Sequence, residues 1–306
     1  MQLQTIIDIQ KNPLISPKSS FLLFGSCFAE NIGKNLLDLH FAGEKNPFGI
    51  LFNPASISCA FRRIISGKLF EESELIEHNG LWHSMLHHGD FSYNSKEIVL
   101  ERINSKMIST KNLLPQIDFL IITFGSAQVY LQNGNIVANC HKLPENLFER
   151  KMLNISEIFD EYQNLFEKIF EINPNLKIIL SVSPIRYLRD GANQNSINKA
   201  TLLLAVEQLT QRFENVIYFP AYEILLDELR DYRFFADDMI HPSAVAEKII
   251  WQKFSECFFT EETKKHIPKI EKLNKMLAHR PINDKSDEYK AFCQKIEELK
   301  SEIFIE

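Results

Sequence analysis

The sequence predicts an α/β fold, a three-layer α/β/α sandwich in which helices cover both faces of a parallel sheet. Four short apolar runs are continuous rather than alternating, which is typical of strands buried on both faces. Longer amphipathic stretches separate these runs, and strands that alternate with helices indicate βαβ units. The predicted strands are residues 21–24, 119–122, 178–182 and 216–219, and the predicted helices are residues 29–39, 55–65, 158–172, 199–213 and 243–259.

Two stretches depart from this alternation. Residues 78–100 are polar and aromatic and predict a small antiparallel excursion. Asn133-Gly134 lies between two β-like segments, and this dipeptide is the strongest short-range signal of a hairpin. Continued regularly, the hairpin would return residues 139–141 to the end of the strand at 119–122. The expected facing pairs are Gln132–Asn135, Tyr130–Val137, Gln128–Asn139 and Ser126–His141.

Composition restricts the class of protein. The chain has 306 residues, a net charge of −6 and 45% hydrophobic residues, so it has enough apolar surface for a large core. An acidic balance disfavours nucleic acid and membrane as partners, because both require basic surface. The five cysteines are odd in number and widely spaced, which predicts neither a disulfide framework nor a zinc ribbon. We expect a reducing, cytoplasmic location, with no signal peptide and no bilayer-spanning segment.

The composition changes at Glu261 to Lys, Glu and Asp with scattered apolar residues, with turn signals at residues 267–268, 280–281 and 283–284. We therefore expect an α/β domain over residues 1–260. Residues 261–306 are expected to form a helical appendage that packs on the same domain. A separate interaction arm is the alternative.

Gly25-Ser26-Cys27 follows the first predicted strand and precedes a helix. A nucleophile at such a turn gains from the helix N-terminus, whose N–H groups and dipole favour a thiolate or an oxyanion. The alternative is an ordinary glycine-containing turn in which Ser26 is the N-cap.

Asp238 and His241 are three residues apart, just before the last helix of the α/β domain. A carboxylate bound to one ring nitrogen leaves the other free to act as a general base. The alternative is a capped helix start, in which Pro242 occupies the first turn.

Together the two motifs resemble the SGNH/GDSL hydrolase superfamily, and Gly25-Ser-Cys-Phe-Ala29 is the signature of its GSCFA family. The resemblance covers roughly residues 20–255 and includes residues 46–49, 139–142, 182–184, 218–223, 229–231 and 238–242. It implies an esterase-like acyl hydrolase or acyltransferase. Cys27 is in register with the superfamily's nucleophile, Ser26 is the alternative, His241 would be the base, and Asp238 would orient it.

The resemblance also implies an oxyanion hole built from the nucleophile's own N–H, a glycine N–H and an asparagine side chain. Gly49 is the glycine candidate. The block that normally carries the asparagine has Ala127 in its place, after Gly125 and Ser126. The expected hairpin register brings Asn139 and His141 beside Ser126, so either could serve as the replacement donor.

Other polar residues are candidates for the rim of the site. Arg186 could bind a carboxylate, phosphate or sugar hydroxyl, with solvated surface as the alternative, and His88 is expected in the cleft. Lys199, near a predicted helix start, is expected to be solvated. The remaining histidines have no accompanying carboxylate cluster, so no metal is expected at His83, His87, His88 or His141. No nucleotide-binding pattern occurs, so no cofactor is expected.

The resemblance therefore favours an enzyme that acts on a small-molecule or carbohydrate ester, by analogy with the superfamily. The acyl group would pass to water or to an alcohol. A noncatalytic ligand- or carbohydrate-binding protein on a decayed hydrolase fold is the alternative, and a scaffold whose C-terminal helices recruit a partner is a third. Whether the chain forms a homo-oligomer stays open.

Overall fold

Five parallel strands form the central sheet of the computed structural model, which describes residues 5–279 and 286–303. Every neighbouring pair runs parallel, which confirms the predicted fold class. In spatial order the strands are β10 (Val216–Phe219), β9 (Lys177–Val182), β5 (Phe119–Phe124), β1 (Ser20–Gly25) and β2 (Ala42–Lys45). Strand β2 was not predicted, because an edge strand of sequence Ala-Gly-Glu-Lys is half-exposed and carries no apolar run.

Helices cover both faces of the sheet. Side chains of β1 alternate between two cores: Leu22 and Phe24 belong to one, and Phe21 and Leu23 to the other. Helices α2 to α5 contribute to the first core, whereas α1 and α7 contribute to the second. The helices of this domain are α1 (Cys27–Asp38), α2 (Pro54–Ser66), α3 (Lys96–Leu113), α4 (Ile155–Ile172), α5 (Gly191–Arg212), α6 (Ala221–Glu223, continued by a π-helical turn, Ile224–Glu228) and α7 (Ala244–Phe258).

The antiparallel excursion after α2 is shorter than predicted. Strands β3 (Leu75–His78) and β4 (Leu81–Ser84) form a hairpin. Helix α3 then begins at Lys96, inside the stretch that the sequence assigned to the excursion. Ser95 caps this helix by accepting the Ile98 N–H at 3.3 Å.

The predicted hairpin at Asn133-Gly134 is present, but its register does not continue as expected. Strands β6 (Gln128–Gln132) and β7 (Asn135–Val137) pair Gln132 with Asn135 and Tyr130 with Val137, as predicted. The expected pairs Gln128–Asn139 and Ser126–His141 are wrong. After Val137 the Ala138 N–H donates to the Met85 carbonyl oxygen at 2.8 Å. Gln128 instead pairs with Met152 on β8 (Glu149–Met152).

Two C-terminal helices, α8 (Glu261–Leu277) and α9 (Asp287–Ile303), pack together and on the end of α1. Asn274 Nδ2 donates to the Asp38 carbonyl oxygen at 2.6 Å, and Thr263 Oγ1 donates to the Ile15 carbonyl oxygen at 2.7 Å. The turn signals at 280–281 and 283–284 lie outside the described residues, and the boundary at residue 260 stays a prediction. None of the helices described in residues 5–279 and 286–303 is long and apolar enough to cross a membrane.

Candidate active site

The turn between β1 and α1 lies at the carboxyl edge of the sheet, where open α/β sheets bind ligands. Gly25 has φ of 154°, and a Cβ there would lie 2.6 Å from the Thr123 carbonyl oxygen, so the close approach of β5 requires glycine. Ser26 is buried, and its hydroxyl donates to Ser183 Oγ at 3.1 Å instead of capping α1. The helix consequently has no side-chain cap, and the backbone N–H of Phe28 has no acceptor among the described residues.

Cys27 is exposed and opens into a cavity of about 420 Å³. Partial desolvation raises the pKa of its thiol, and the nearby Glu30 carboxylate raises it further. The thiol is therefore protonated at neutral pH unless a base removes the proton. The other lining residues are Ile50, Phe52, His88, Tyr130, Ala138, Asn139, Cys140, Lys142, Leu143, Glu145, Phe148 and Arg189.

Asp238 and His241 form a hydrogen-bonded pair in the loop before α7. His241 Nδ1 lies 2.6 Å from Asp238 Oδ2, while Asp238 Oδ1 accepts the backbone N–H groups of His241 and Ile240 at 3.0 and 2.9 Å. These bonds lower the pKa of Asp238 to about 2, and the bond from the His241 backbone N–H has the largest effect. The capped-helix alternative is wrong, because Ser243 caps α7 by accepting the Ala246 N–H.

His241 is not bonded to either candidate nucleophile. Within residues 5–279 and 286–303, Nε2 of His241 has no partner, and no hydrogen bond joins the ring to Cys27 or Ser26. His241 is close enough to Glu247 to oppose the rise in the Glu247 pKa that burial causes. Glu247 Oε2 in turn accepts Asn31 Nδ2 at 2.8 Å. Asn31 is one helical turn from Cys27 on the same face of α1.

Asn46 holds the β1 turn in place. Its Oδ1 accepts the Gly25 N–H at 2.9 Å, and its Nδ2 donates to Glu30 Oε2 at 2.7 Å. The Gly49 N–H donates to the Asn46 carbonyl oxygen at 2.7 Å, which closes a second turn over residues 46–49. Glu30 also forms an ion pair with Lys45. The backbone N–H of Gly49 is thus engaged inside the turn, while the asparagine side chain supports the Gly25 backbone.

Lys199 is fully buried, so the prediction of a solvated lysine is wrong. Its Nζ donates to the carbonyl oxygens of Gly125 at 2.7 Å and Ser183 at 2.6 Å, which follow β5 and β9. Burial lowers the pKa of its ammonium to about 7. The rings of Tyr187 and Tyr222 lie 5.0 and 5.7 Å from Nζ. Perturbed groups of this kind cluster at functional sites.

Comparison with known proteins gives a match over most of the chain. Residues 20–254 match the model of the GSCFA family, and residues 270–302 match that of the GSCFA domain protein, C-terminal domain. The chain belongs to the GSCFA family. The predicted family is thereby confirmed. No curated protein matches the chain.

Solved structures similar to this GSCFA protein include two carbohydrate esterases. A family 3 enzyme from Talaromyces cellulolyticus is 11% identical, with a TM-score of 0.38, over 83% of this chain and 99% of that chain. A family 3 enzyme from Clostridium thermocellum is also 11% identical, with a TM-score of 0.37, over 84% of this chain and 99% of that chain. TM-scores this low do not establish a shared fold, so the fold class rests on the strand order described above.

The site of this GSCFA chain brings together some of the predicted residues. Cys27, His88 and Asn139 line one cavity. Asn139 Oδ1 accepts the His141 N–H at 2.9 Å, while Asn139 Nδ2 has no partner among the described residues. His88 Nδ1 lies 3.0 Å from Asp90. Gly49 belongs to the turn that supports Gly25.

Seven predicted residues are not among those that line this cavity in the GSCFA chain: Ser26, Gly49, Ser126, His141, Arg186, Asp238 and His241. Ser126 is buried, and its hydroxyl accepts the Gln128 N–H at 3.1 Å. The His141 ring lies 2.9 Å from the Ser84 carbonyl oxygen through Nε2, and burial lowers its pKa to about 4. Arg186 lines a second cavity. His141 misses the first cavity because the hairpin ladder ends at Val137.

Sequence reasoning missed several residues of this GSCFA site. Tyr187 packs so closely on Gly125 that a Cβ there would lie 2.3 Å from its hydroxyl oxygen. Burial raises the pKa of Tyr187, and so does the nearby Cys27. Asn46 belonged to a recognised motif, but its role in holding Gly25 required the tertiary contact. Among the described residues, no three His, Cys, Asp or Glu side chains are grouped to hold a metal ion.

Proposed function

We propose that this protein catalyses acyl transfer from an ester, with Cys27 as nucleophile, His241 as base and Asp238 as the group that orients the base. The Asp238–His241 pair carries the proposal. Its carboxylate holds Nδ1 at 2.6 Å and leaves Nε2 without a partner in the described part of the chain. A carboxylate on Nδ1 selects the tautomer whose Nε2 accepts a proton.

The choice of Cys27 over Ser26 rests on access. The Ser26 hydroxyl is buried and donates to Ser183, whereas Cys27 is exposed in the cavity. Cys27 is also the residue in register with the nucleophile of the superfamily that the sequence resembles. A thiolate is a strong nucleophile, but a thiol with a raised pKa needs a base.

His241 must approach Cys27 for the reaction to occur. The base lies beside Glu247, which binds Asn31 one turn along α1 from Cys27. Catalytic hydrogen bonds are often long or absent without substrate and tighten in the reactive complex. We therefore assign the approach of His241 to movement of the loop over residues 236–242 on substrate binding.

Charge on the substrate oxygen would be stabilised by the start of α1. The backbone N–H of Phe28 has no acceptor among the described residues, because the Ser26 side chain does not cap the helix. Asn139 Nδ2 is the side-chain donor on the same cavity. Gly49 has no part in this proposal, since its N–H is bonded to Asn46.

The reaction proceeds in two steps. His241 Nε2 takes the proton from the Cys27 thiol, and the thiolate attacks the ester carbonyl carbon. The carbon–oxygen ester bond then breaks, and the leaving alcohol receives the proton from His241. Water, or the hydroxyl of an acceptor alcohol, then attacks the thioester carbonyl carbon while His241 Nε2 takes its proton. The carbon–sulfur bond breaks, the carboxylic acid or the new ester leaves, and His241 returns the proton to the Cys27 sulfur.

Three aromatic side chains of the cavity, Phe52, Tyr130 and Phe148, lie among the polar residues Asn139 and Arg189. Apolar walls with a few polar groups suit small ligands. We propose a carbohydrate ester as the substrate class, because aromatic faces and hydrogen-bonding groups recognise a sugar ring together.

A noncatalytic binding protein is the second candidate. Three observations favour it: His241 is not bonded to Cys27, the pKa of Cys27 is raised, and the oxyanion block carries Ala127. A binding protein would use the same cavity without forming an acyl-enzyme.

Mass-spectrometric mapping and ester hydrolysis distinguish the two. The protein is treated with iodoacetamide and with an activated aryl acetate, and each adduct is mapped. Short-chain aryl ester hydrolysis is measured for wild type and for Cys27→Ala, Ser26→Ala and His241→Ala. Cys140→Ala, which alters the other cysteine of the cavity, and His266→Ala, away from the cavity, are the matched controls.

We expect acetyl-Cys27, loss of hydrolysis of at least about 10³-fold in Cys27→Ala and His241→Ala, and rates near wild type in both controls. Acetylation at Ser26 with activity retained in Cys27→Ala would reassign the nucleophile. An absence of acyl adduct and of hydrolysis in wild type would overturn the enzyme and leave the binding protein.

A further inference from the structure

A second cavity of about 400 Å³ is lined by residues that follow β9 and β10 in the chain, among them Arg186, Tyr222 and Phe235. Helix α6 and its π-helical turn, Ile224–Glu228, form one wall and contribute Tyr222 and Leu225. Single π-helical turns are rare and frequently mark functional sites. Nothing in the proposed reaction at Cys27 uses this cavity.

Positive charge dominates the lining. Arg230 has no carboxylate partner among the described residues, and Arg186 donates to the Met239 carbonyl oxygen at 3.3 Å. Among the described residues that line the cavity, Asp231 is the one carboxylate. It accepts both the backbone N–H and the Nε–H of Arg233, so its charge is already paired. Two arginines thus line the cavity, and the one carboxylate of the lining is bonded to Arg233 and not to either of them.

Neutral donors complete the lining. Asn195 is 7% exposed, its Oδ1 accepts the Tyr187 N–H at 2.8 Å, and its Nδ2 has no partner in the described part of the chain. Burial raises the pKa of Tyr222, so its hydroxyl stays protonated and can donate. Two carboxylates near Tyr222 lie outside the lining: Glu223 accepts the Tyr218 hydroxyl, and Asp227 is exposed.

We propose that this second cavity binds the phosphate group of a small phosphomonoester, between the guanidinium groups of Arg186 and Arg230. Planar guanidinium groups bind phosphate through paired N–H bonds, and a dianion matches two cations. Asn195 Nδ2 and the Tyr222 hydroxyl supply further donors. The rings of Tyr222, Tyr232 and Phe235 provide faces for the rest of the ligand. A soluble ligand is favoured over a lipid headgroup because the chain carries a net charge of −6.

Calorimetry on the full chain tests the proposal. Inorganic phosphate and glycerol 3-phosphate are titrated at an ionic strength held constant with sodium chloride, and vesicles that contain phosphatidic acid are tested by co-sedimentation. The variants are Arg230→Gln and Arg186→Gln. Arg212→Gln, an exposed arginine at the end of α5, is the matched control.

We expect saturable binding of both soluble phosphates, weakened about tenfold in each cavity variant and unchanged in Arg212→Gln. Arg230 is exposed, so its variant keeps the test valid if Arg186→Gln fails to fold. Absence of saturable binding, equal affinity in Arg230→Gln, or binding to vesicles without binding of the soluble phosphates would each overturn the proposal. Because no reaction is measured, its failure is separate from failure of the chemistry at Cys27.

Discussion

Lys199 Nζ lies 2.6 Å from the carbonyl oxygen of Ser183 and 2.7 Å from that of Gly125, in the interior of the protein. One side chain therefore ties together the segments that follow β9 and β5. Ser183 also accepts the hydroxyl of Ser26, the residue before Cys27. The Lys199 amine and the Ser183 hydroxyl together thus join three of the strand ends that form the candidate active site.

Lys199 should make the protein more stable as the pH rises above 7. Its pKa is about 7 when folded and near 10.5 when unfolded, so between these values the unfolded chain binds more protons. The free energy of unfolding should rise by up to about 1.4 kcal/mol per pH unit from this group. Urea unfolding of wild type at pH 7, 8 and 9 measures this slope.

Lys199→Met should lose the contribution of this amine to the rise in the free energy of unfolding with pH, because methionine does not titrate. Lys272→Met, an exposed lysine of α8, should keep it. Equal slopes in wild type and Lys199→Met would show that the ammonium stays protonated in the fold.

His87 and His141 should make the protein sensitive to acid. Burial lowers their pKa values to about 3 and about 4, against 6.5 when unfolded. Below pH 6.5 the unfolded chain therefore binds protons that the folded chain does not bind. The free energy of unfolding consequently falls as the pH drops toward 4. Each histidine should contribute up to about 1.4 kcal/mol per pH unit. Unfolding by urea at pH 7, 6 and 5 measures the loss.

His141→Gln should reduce the pH dependence of the free energy of unfolding below pH 6.5 by the equivalent of about one proton. His266→Gln, on α8, should leave this pH dependence unchanged. A His141→Gln variant as acid-sensitive as wild type would refute the assignment of a neutral, buried ring.

Gly125→Ala should destabilise the protein because a methyl group there collides with Tyr187. The added Cβ would lie 2.3 Å from the tyrosine hydroxyl oxygen and 3.0 Å from the Phe52 carbonyl oxygen. We expect a loss of about 1–3 kcal/mol, as for other overpacked sites. Thermal and urea unfolding measure it.

Tyr187→Phe should recover part of this loss in the double variant, because the nearest clashing atom is then gone. Gly89→Ala is the matched control, since nothing lies within 4 Å of its added Cβ. Additive effects of Gly125→Ala and Tyr187→Phe would argue against the contact.

Asn46→Gly should loosen the β1 turn and change the alkylation of Cys27. The substitution removes the acceptor of the Gly25 N–H and the donor to Glu30, at a cost of about 2 kcal/mol. Glycine tolerates the φ of 43° at this position, so the substitution adds no backbone strain to the folded state. Unfolding and the rate of iodoacetamide labelling at Cys27 are measured together.

Asn79→Gly, at a φ of 50° in the exposed turn between β3 and β4, is the matched control and should change neither quantity by much. If Asn46→Gly labels Cys27 at the wild-type rate, the Asn46 side chain does not position the turn.

Local pattern was sufficient for most of the sheet and for the family. Continuous apolar runs predicted four of the five central strands, because a strand covered on both faces must be apolar throughout. The signature at Gly25–Ala29 led to the family that the comparison confirmed. Strand β2 was not predicted because it is half-exposed at the edge of the sheet. Helix α3 was not predicted because it lies partly in the stretch interpreted as an antiparallel excursion.

The sequence by itself therefore determined the fold class, the family and the pairing of Asp238 with His241, which are three residues apart. The tertiary structure decided what depends on distant partners. Lys199 is buried because carbonyl oxygens 74 and 16 residues away receive its N–H groups. His141 lies outside the cavity because the Met85 carbonyl oxygen accepts the Ala138 N–H, directly after Val137, and the hairpin ladder ends there. Such contacts leave no local periodicity, since each joins segments that only the packed sheet brings together.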